Sequence, residues 1–261
     1  MESQGLSILQ QAILSRLPDA PRILLGLDFD GTLAPLAAEP ALAALPASTR
    51  ATLQSLAARA QVSLAIVSGR SLADVRGRVD LSGIIYAGNH GLEIDGPTVR
   101  FVDVEAAATG SVLQQVASDL AERLAGIAGA LIEDKSLTLS IHYRLVAPQE
   151  REAVYRAVQD ALAAASAMLF LTKGDMVYEV RPHLRWNKGA ALRWIQQQLG
   201  IAETVVIYAG DDATDEDAFA ALKDAITIKV GRKGETAARY VLSNPDDVGA
   251  FLAWIDQLLP R

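Results

Sequence analysis

Two aspartates directly after the first apolar run of the chain have the spacing that most clearly suggests chemistry. Residues 23–27 are typical of a buried strand in a parallel sheet, and Asp28 and Asp30 follow it. Open parallel sheets bind ligands at the carboxyl ends of their strands, and Gly31 lets the chain turn away there. A carboxylate in that place can attack phosphorus to form an aspartyl-phosphate, if a divalent cation such as Mg²⁺ screens the charges.

Two other positions carry groups that suit a phosphate. Ser68 follows the apolar residues 62–67, and a hydroxyl beside the free N–H groups of a helix start can bind a phosphoryl oxygen. The alternative is that Ser68 only caps the N-terminus of the helix that follows it. Lys188 stands before a predicted helix over residues 189–198, where a cation is unfavourable unless an anion lies nearby. A surface lysine is the alternative there.

A dense acidic segment follows the apolar run of residues 204–209. Five acidic residues lie within residues 211–217. Unpaired charges at that density repel one another, and a bound cation relieves the repulsion. A helix N-terminus favours acidic side chains and explains the last two of them. It does not explain Asp211 and Asp212 directly after a buried strand, which points to a metal site.

The order of the predicted strands and helices indicates an α/β fold: a Rossmann-like parallel-sheet core with an inserted smaller α+β cap domain. Strands and helices alternate over residues 23–104, which indicates a parallel sheet with right-handed crossovers. Residues 105–181 follow the order α-β-β-α-β-β, with half-exposed strands. We therefore expect the core domain over residues 1–104 and 182–261, and the cap over 105–181.

Several element predictions lie outside the segments that carry chemistry. An amphipathic helix is predicted over residues 6–17, a long Ala-rich helix over about 106–127, and a short helix near 235–239. A hairpin is predicted around residues 173–175.

The segment from Asp28 to Thr32 resembles the first motif of the haloacid-dehalogenase-like phosphatases. In that superfamily the first Asp attacks phosphorus, and the second protonates the leaving oxygen and then activates water. The resemblance therefore implies these roles for Asp28 and Asp30, with Mg²⁺ as cofactor. Ser68 and Lys188 resemble the second and third motifs, which bind the transferring phosphoryl group.

The acidic segment resembles the fourth motif of the same superfamily, in the form typical of trehalose-phosphate phosphatases. The resemblance implies that Asp211 ligates the metal together with Asp28 and the backbone carbonyl of Asp30. It gives Asp215 the role of holding metal-bound waters or orienting Lys188.

Other segments also resemble the trehalose-6-phosphate phosphatases, and the resemblance runs from about residue 23 to 252. Residues 88–93 match a Gly-x-His-Gly-x-Glu stretch that lies near the sugar in that family, which implies substrate contacts for Asn89 and His90. The predicted cap contributes charged residues of the same kind, because sugar hydroxyls bind well to carboxylates and to Lys or Arg donors; these are Glu133, Lys135, Arg144 and Glu179. A solvated strand face is the alternative for each of them. Ser136 departs from the family pattern, in which a Gly is expected.

Composition limits the partners. The chain has 261 residues, a net charge of −7 and no Lys/Arg-rich run, which argues against nucleic acid. It has no cysteine, so disulfides and thiolate chemistry are excluded, as fits a cytoplasmic protein. No apolar run reaches the length of a membrane span, and the first twenty residues lack a signal-peptide pattern. The expected partner is a small sugar phosphate, with a trehalose-phosphate synthase as the pathway partner.

Two alternatives stay open at this point. The substrate can be another sugar phosphate, such as sucrose 6-phosphate or a mannosyl phosphoglycerate. The protein can also be a non-catalytic sensor of sugar phosphates. Degenerate sensors are expected to lose catalytic residues, whereas this chain retains Asp28, Asp30, Lys188 and Asp211.

Overall fold

A computed structural model describes most of the chain, namely residues 2–16, 22–37, 39–200, 204–231 and 234–260. Side chains of the first helix are described from residue 7 onward. The chain divides into two compact units, one formed by Met1–Phe101 with Trp186–Arg261 and the other by Val102–Arg185. A search of the described residues finds no helix with the length and apolar character of a membrane span.

Strands and helices alternate through much of the chain. The strands are β1 Arg22–Leu27, β2 Val62–Val67, β3 Ile85–Gly88, β4 Glu93–Asp95, β5 Arg100–Val102, β6 Leu131–Asp134, β7 Leu139–His142, β8 Leu169–Gly174, β9 Val177–Pro182, β10 Thr204–Gly210, β11 Ile226–Val230 and β12 Tyr240–Leu242. The α-helices are α1 Glu2–Leu14, α2 Ala47–Ala57, α3 Leu72–Val79, α4 Val104–Ala108, α5 Gly110–Leu124, α6 Arg151–Leu162, α7 Lys188–Gln198, α8 Ala213–Ala221 and α9 Pro245–Leu258.

The larger unit is built on an eight-stranded sheet in the order β12-β11-β10-β1-β2-β3-β4-β5. The strands from β12 to β3 are parallel, and β4 is antiparallel to β3. Helices cover both faces, which explains why these strands are almost continuously apolar. Leu25 and Leu27 pack in a core with α1, α2, α3 and α9, whereas Leu24 packs with α7 and α8 on the other face.

The smaller unit has a four-stranded antiparallel sheet in the order β6-β7-β9-β8. Leu139 and Ile141 on β7 join a separate core with apolar residues of α5 and α6. Alternate residues of the same strands therefore lie on the opposite face of this sheet. A parallel-sheet unit combined with a small antiparallel α+β unit confirms the predicted fold class.

Two helix predictions are wrong. The single helix expected over about 106–127 is divided at Thr109 into α4 and α5, and Thr109 and the following Gly110 are both weak helix formers. No helix occurs within the described residues 234–239, where a helix was expected near 235–239. The carboxylate of Glu216 accepts a hydrogen bond from the backbone N–H of Ala237 at 2.8 Å, so that N–H group bonds a side chain and not a helical carbonyl.

Two other predictions differ from the structure in their bounds. The N-terminal helix expected over residues 6–17 runs from Glu2 to Leu14, and residue 17 lies outside the described part of the chain. The hairpin expected around residues 173–175 turns slightly later, since β8 continues to Gly174 and β9 begins at Val177.

Candidate active site

The three adjacent strands β10, β1 and β2 bring polar residues to one edge of the large sheet. Leu27 at the end of β1 is in register with Ala209 on β10 and with Ile66 on β2. The backbone N–H of Asp28 donates to Ala209 O at 3.0 Å, so the ladder continues up to this aspartate. Asp28, Ser68 and Asp211 therefore leave parallel strands at the same edge, as the sequence predicts.

Lys188 is the first residue of α7 and lies between two carboxylates. Its Nζ is 2.9 Å from Oδ1 of Asp28 and 2.8 Å from Oδ1 of Asp215. All three side chains are almost completely buried. Burial opposes the charged form of the lysine, but Asp215 and then Asp28 outweigh burial and raise the pKa of Lys188 well above its usual value. The site therefore holds a fixed positive charge beside the predicted nucleophile.

Asp215 is saturated with hydrogen bonds. Its Oδ1 accepts from Lys188 and, at 2.5 Å, from the hydroxyl of the buried Tyr208. Its Oδ2 accepts from the backbone N–H groups of Asp211 at 2.9 Å and Asp212 at 3.0 Å. The resemblance gives Asp215 the role of holding metal-bound waters or of orienting Lys188, and this geometry favours the second role. Asp215 also holds the acidic loop, which is the segment of residues 211–217. Tyr208 was missed by the sequence analysis, because a tyrosine inside an apolar strand has the pattern of a core residue.

The acidic residues at this edge fit a divalent cation. Ligand oxygens of Asp28, Asp211 and Asp215 lie within 4.8 Å of one another. Burial, together with the neighbouring carboxylates, raises the pKa of Asp28 well above its usual range and that of Asp211 to about 7. Charged carboxylates so close together are costly unless a cation is bound. Hard carboxylate oxygens are the ligands that Mg²⁺ prefers, and Asp28 and Asp211 are the best candidates.

Two glycines lie directly against carboxylates of the acidic segment, residues 211–217. Gly31 has a φ of +74°, and a Cβ there would lie 2.0 Å from Oδ2 of Asp211. A Cβ on Gly210 would lie 2.2 Å from the carboxyl carbon of Asp215. A side chain at either position would displace the carboxylates, so glycine is required by the site itself.

Asp30 has a different set of contacts. Both of its carboxylate oxygens accept from Arg70, with Nε to Oδ2 at 2.6 Å and Nη2 to Oδ1 at 2.7 Å. Among the described residues, the group of carboxylates that could hold a metal ion consists of Asp28, Asp211 and Asp215 and does not include the carboxylate of Asp30. The family resemblance gives Asp30 a role in metal binding through its backbone carbonyl only. The sequence pattern alone does not identify Arg70 as part of the site. Its place directly after Ser68 and Gly69 was the available signal, but nothing local indicates a partner 40 residues away.

Ser68, Asn89 and His90 lie in two interlocked loops. The backbone N–H of His90 donates to Ser68 O at 2.9 Å, and the hydroxyl oxygen of Ser68 accepts from the backbone N–H of Arg70 at 3.2 Å. Asn89 and His90 are buried and have left-handed backbone angles, with φ of 49° and 59°. The Asn89 amide donates to Glu93 Oε1 at 2.8 Å, which gives this residue a role in holding the loop.

The predicted sugar-binding residues of the smaller unit lie on or beside its sheet. Glu133 and Glu179 both pair in register with Ser140, so the three residues share the face opposite α5 and α6. The Nζ of Lys135 lies 3.5 Å from Oε1 of Glu179, which places these two residues together. Arg144 has a different partner, because it donates to the side chain of Asp175 at 2.8 Å beside the hairpin turn.

Two details of this unit bear on the same residues. His142 Nε2 lies 2.9 Å from Oε2 of Glu133, a contact that the sequence analysis did not anticipate. Ser136 has a φ of 69°, which is the left-handed conformation that glycine adopts most easily. This conformation gives a physical reason for the Gly expected at this position.

Comparison with known proteins identifies trehalose-phosphate phosphatases among the relatives of this chain. The family model described as Trehalose-phosphatase matches residues 26–245. A trehalose-phosphate phosphatase of Mycobacterium marinum is 40% identical over 259 residues, covering 91% of this chain and 65% of the relative. A trehalose 6-phosphate phosphatase of Zea mays is 36% identical over 272 residues, covering 97% of this chain and 74% of the relative.

A solved structure of a trehalose-6-phosphate phosphatase related protein superposes on this chain with a TM-score of 0.79 and 28% sequence identity. The match covers 90% of this chain and 97% of the solved one. The chain thus spans nearly the whole of that structure, but about 65% of the length of the Mycobacterium marinum relative.

Proposed function

This chain belongs to the trehalose-phosphatase family, and on that premise we propose that it is a Mg²⁺-dependent phosphatase that hydrolyses trehalose 6-phosphate to trehalose and phosphate. The observation that carries the proposal is the buried pair of Asp28 and Lys188 at the end of the central strand, 2.9 Å apart. A buried carboxylate beside a fixed cation is what an attack on phosphorus requires.

The residues of the chain can perform the reaction in two steps. Asp28 attacks phosphorus, a bond forms from its carboxylate oxygen to phosphorus, and the bond from phosphorus to the sugar 6-oxygen breaks. Asp30 gives a proton to the leaving oxygen. The Lys188 ammonium and the Ser68 hydroxyl balance charge on the phosphoryl oxygens. In the second step water attacks phosphorus, the bond from phosphorus to the Asp28 oxygen breaks to release phosphate and restore the carboxylate, and Asp30 takes the proton that the water loses.

We assign the metal site to Asp28 and Asp211 with the backbone carbonyl of Asp30. When bound there, Mg²⁺ would neutralise the charge of the carboxylates and of the phosphoryl group. Asp215 holds Lys188 and two N–H groups of the acidic loop, so it keeps the site in shape. This division of roles follows from the saturation of Asp215.

We assign recognition of the sugar to the smaller unit, which would act as a cap domain. The residues assigned to it lie on or beside the sheet face opposite the helices of this unit, and they are Glu133, Lys135 and Glu179. Carboxylates and ammonium groups suit the hydroxyls of a disaccharide. We assign further contacts with the substrate to Asn89 and His90, which belong to the larger unit. A cytoplasmic location, which the lack of cysteine supports, and a trehalose-phosphate synthase as pathway partner, which the family suggests, belong to the same proposal.

The experiment is a panel of initial rates of phosphate release from trehalose 6-phosphate, sucrose 6-phosphate, a mannosyl phosphoglycerate and glucose 6-phosphate, each with Mg²⁺ and with EDTA. We expect metal-dependent release from trehalose 6-phosphate far above the rest. Preference for another sugar phosphate would retain the chemistry and reject the sugar assignment. Trehalose 6-phosphate binding without release from any substrate would support the sensor.

Glu179→Gln refines the test of the cap assignment. The substitution removes a negative charge beside Lys135, and Glu179 lies outside the unit that holds Asp28. We expect a higher KM for trehalose 6-phosphate and an unchanged rate with 4-nitrophenyl phosphate, which has no sugar. Arg144→Gln serves as the comparison, because Arg144 binds Asp175 and not the Lys135–Glu179 pair.

A further inference from the structure

Arg70 is a buried arginine that the mechanism above does not use. Its side chain is 8% exposed and lies between the second motif and α3. The guanidinium donates to both oxygens of Asp30, to Oδ2 of Asp74 at 2.7 Å and to the backbone oxygen of Pro40 at 2.9 Å. Its central carbon also lies 5.5 Å from the centre of the Phe29 ring. The arginine is therefore fixed from several sides.

The contact between Arg70 and Asp30 is a bidentate ion pair. Two parallel N–H donors meet two carboxylate oxygens, which defines the plane and the direction of the carboxylate as a single ammonium cannot. Each carboxylate oxygen has two lone pairs, so an oxygen that accepts from Arg70 retains another lone pair for a proton. Arg70 can thus hold Asp30 in place without preventing its proton transfers.

We propose that Arg70 is the positioning residue for Asp30, and that it aims this carboxylate at the leaving oxygen during the first step. The inference rests on the proposed function, because it takes Asp30 as the proton donor. Arg70 touches neither substrate nor phosphorus in this account and acts only through Asp30.

The need for a proton from Asp30 depends on the leaving group. A sugar alkoxide is a poor leaving group and needs the proton from Asp30, whereas 4-nitrophenolate is stable and leaves without one. General acid catalysis contributes at least about 100-fold, and a misplacement of about 1 Å can cost a similar factor. Misaiming Asp30 should therefore slow the first step with a sugar phosphate and spare it with an aryl phosphate.

Arg78 supplies the matched control. It also binds Asp74, at 2.8 Å, and it donates to the backbone oxygens of Ala41 and Ala43 in the loop that Arg70 holds through Pro40. It is not bonded to Asp30. A substitution of Arg78 therefore disturbs the same loop and the same aspartate while leaving the Arg70–Asp30 contact in place.

The test measures the first turnover of Arg70→Lys, Arg70→Gln and Arg78→Lys by quenched flow, after thermal unfolding shows which variants are folded. Release of trehalose reports the sugar phosphate, and release of 4-nitrophenolate reports 4-nitrophenyl phosphate. For the Arg70 variants we expect trehalose release to fall about 100-fold and 4-nitrophenolate release to stay near the wild-type rate. Arg78→Lys should affect both substrates alike.

Equal slowing of both substrates by the Arg70 variants, or the same selectivity in Arg78→Lys, would overturn the positioning role. Combining Arg70→Lys with Asp30→Asn should slow trehalose release no further than Asp30→Asn alone, because residues that act as one unit are not additive; additive losses would also overturn it.

Failure of the proposed function gives a different result. If trehalose 6-phosphate is not the substrate, the wild-type protein releases no trehalose. The Arg70 and Arg78 variants are then compared with the sugar phosphate that the wild type does hydrolyse, again beside 4-nitrophenyl phosphate. A wild-type protein that hydrolyses no phosphate ester would reject both proposals.

Discussion

The ammonium of Lys188 lies 2.9 Å from the carboxylate of Asp28, and the two side chains are only 2% and 6% exposed. One residue starts a helix and the other follows a central strand, 160 positions apart. A second buried carboxylate, Asp215, lies 2.8 Å from the same ammonium. The stability of the metal-free protein should therefore depend on one cation that compensates two buried anions.

Lys188→Met tests that dependence. Removing the cation leaves Asp28 and Asp215 buried without compensation, so the free energy of unfolding should fall by about 3–5 kcal/mol at pH 8. The loss should be smaller at pH 5, where the carboxylates take up protons more readily. Urea unfolding in EDTA measures both values. Lys173→Met, at an exposed lysine, should change stability by less than about 0.5 kcal/mol.

Tyr208→Phe removes one of the four donors to Asp215. We expect a stability loss of about 1–2 kcal/mol and a lower kcat, because Lys188 and the acidic loop are then held less firmly. Tyr86→Phe is the matched control, since its hydroxyl bonds to the backbone of Leu81. It should cost similar stability and leave kcat unchanged. Equal kcat losses in the two variants would contradict the special role of Tyr208.

Gly31→Ala and Gly83→Ala separate backbone strain from damage to the site. Both glycines are left-handed, with φ of +74° and +79°, so each alanine should cost about 1–2 kcal/mol. A Cβ on Gly31 would meet Asp211, whereas a Cβ on Gly83 would have no atom within 4 Å. Turnover should therefore fall by about 100-fold or more in Gly31→Ala only. Comparable activity of the two variants would show that the contact with Asp211 is unimportant.

Thermal unfolding in EDTA should depend on pH in a defined direction. The folded pKa of Asp211 is raised to about 7 by burial and by Asp215, against about 4 in an unfolded chain. The folded state therefore binds the proton more tightly. This stabilisation is complete below pH 4 and is lost as the pH rises to 7, so Tm should fall over that range.

Mg²⁺ should raise Tm more at pH 8 than at pH 5, because the cation and the proton compete for the same carboxylates. Asp211→Asn removes one of the titrating carboxyl groups and should weaken both dependences. A Tm that rises from pH 5 to 8 in EDTA, with no difference between wild type and Asp211→Asn, would contradict this explanation.

The part of the site that follows the ends of strands could be predicted from the sequence. Residues 62–67 form β2 with the predicted bounds, because a continuous apolar run buried on both faces leaves little ambiguity about where a strand lies. Asp28, Ser68 and Asp211 each come directly after such a run. Once the strands are parallel and adjacent, the meeting of these residues follows from topology.

The partners of these residues could not be predicted in the same way. Arg70 reaches Asp30 and Tyr208 reaches Asp215 only after the strands are in register, and neither residue has a local pattern that differs from a helix flank or a core strand. The helix expected near 235–239 is absent from the described residues for a similar reason. A long-range contact with Glu216 replaces the local hydrogen bonds that the pattern predicts.

The most direct test of the central claim is the rate of phosphate release from trehalose 6-phosphate in Mg²⁺ by wild-type protein and by Asp28→Asn. The substitution keeps the size of the side chain and removes the nucleophile, so circular dichroism should show an intact fold. We expect rapid release by the wild type and no turnover by Asp28→Asn. Turnover by Asp28→Asn at a rate close to that of the wild type would contradict this expectation.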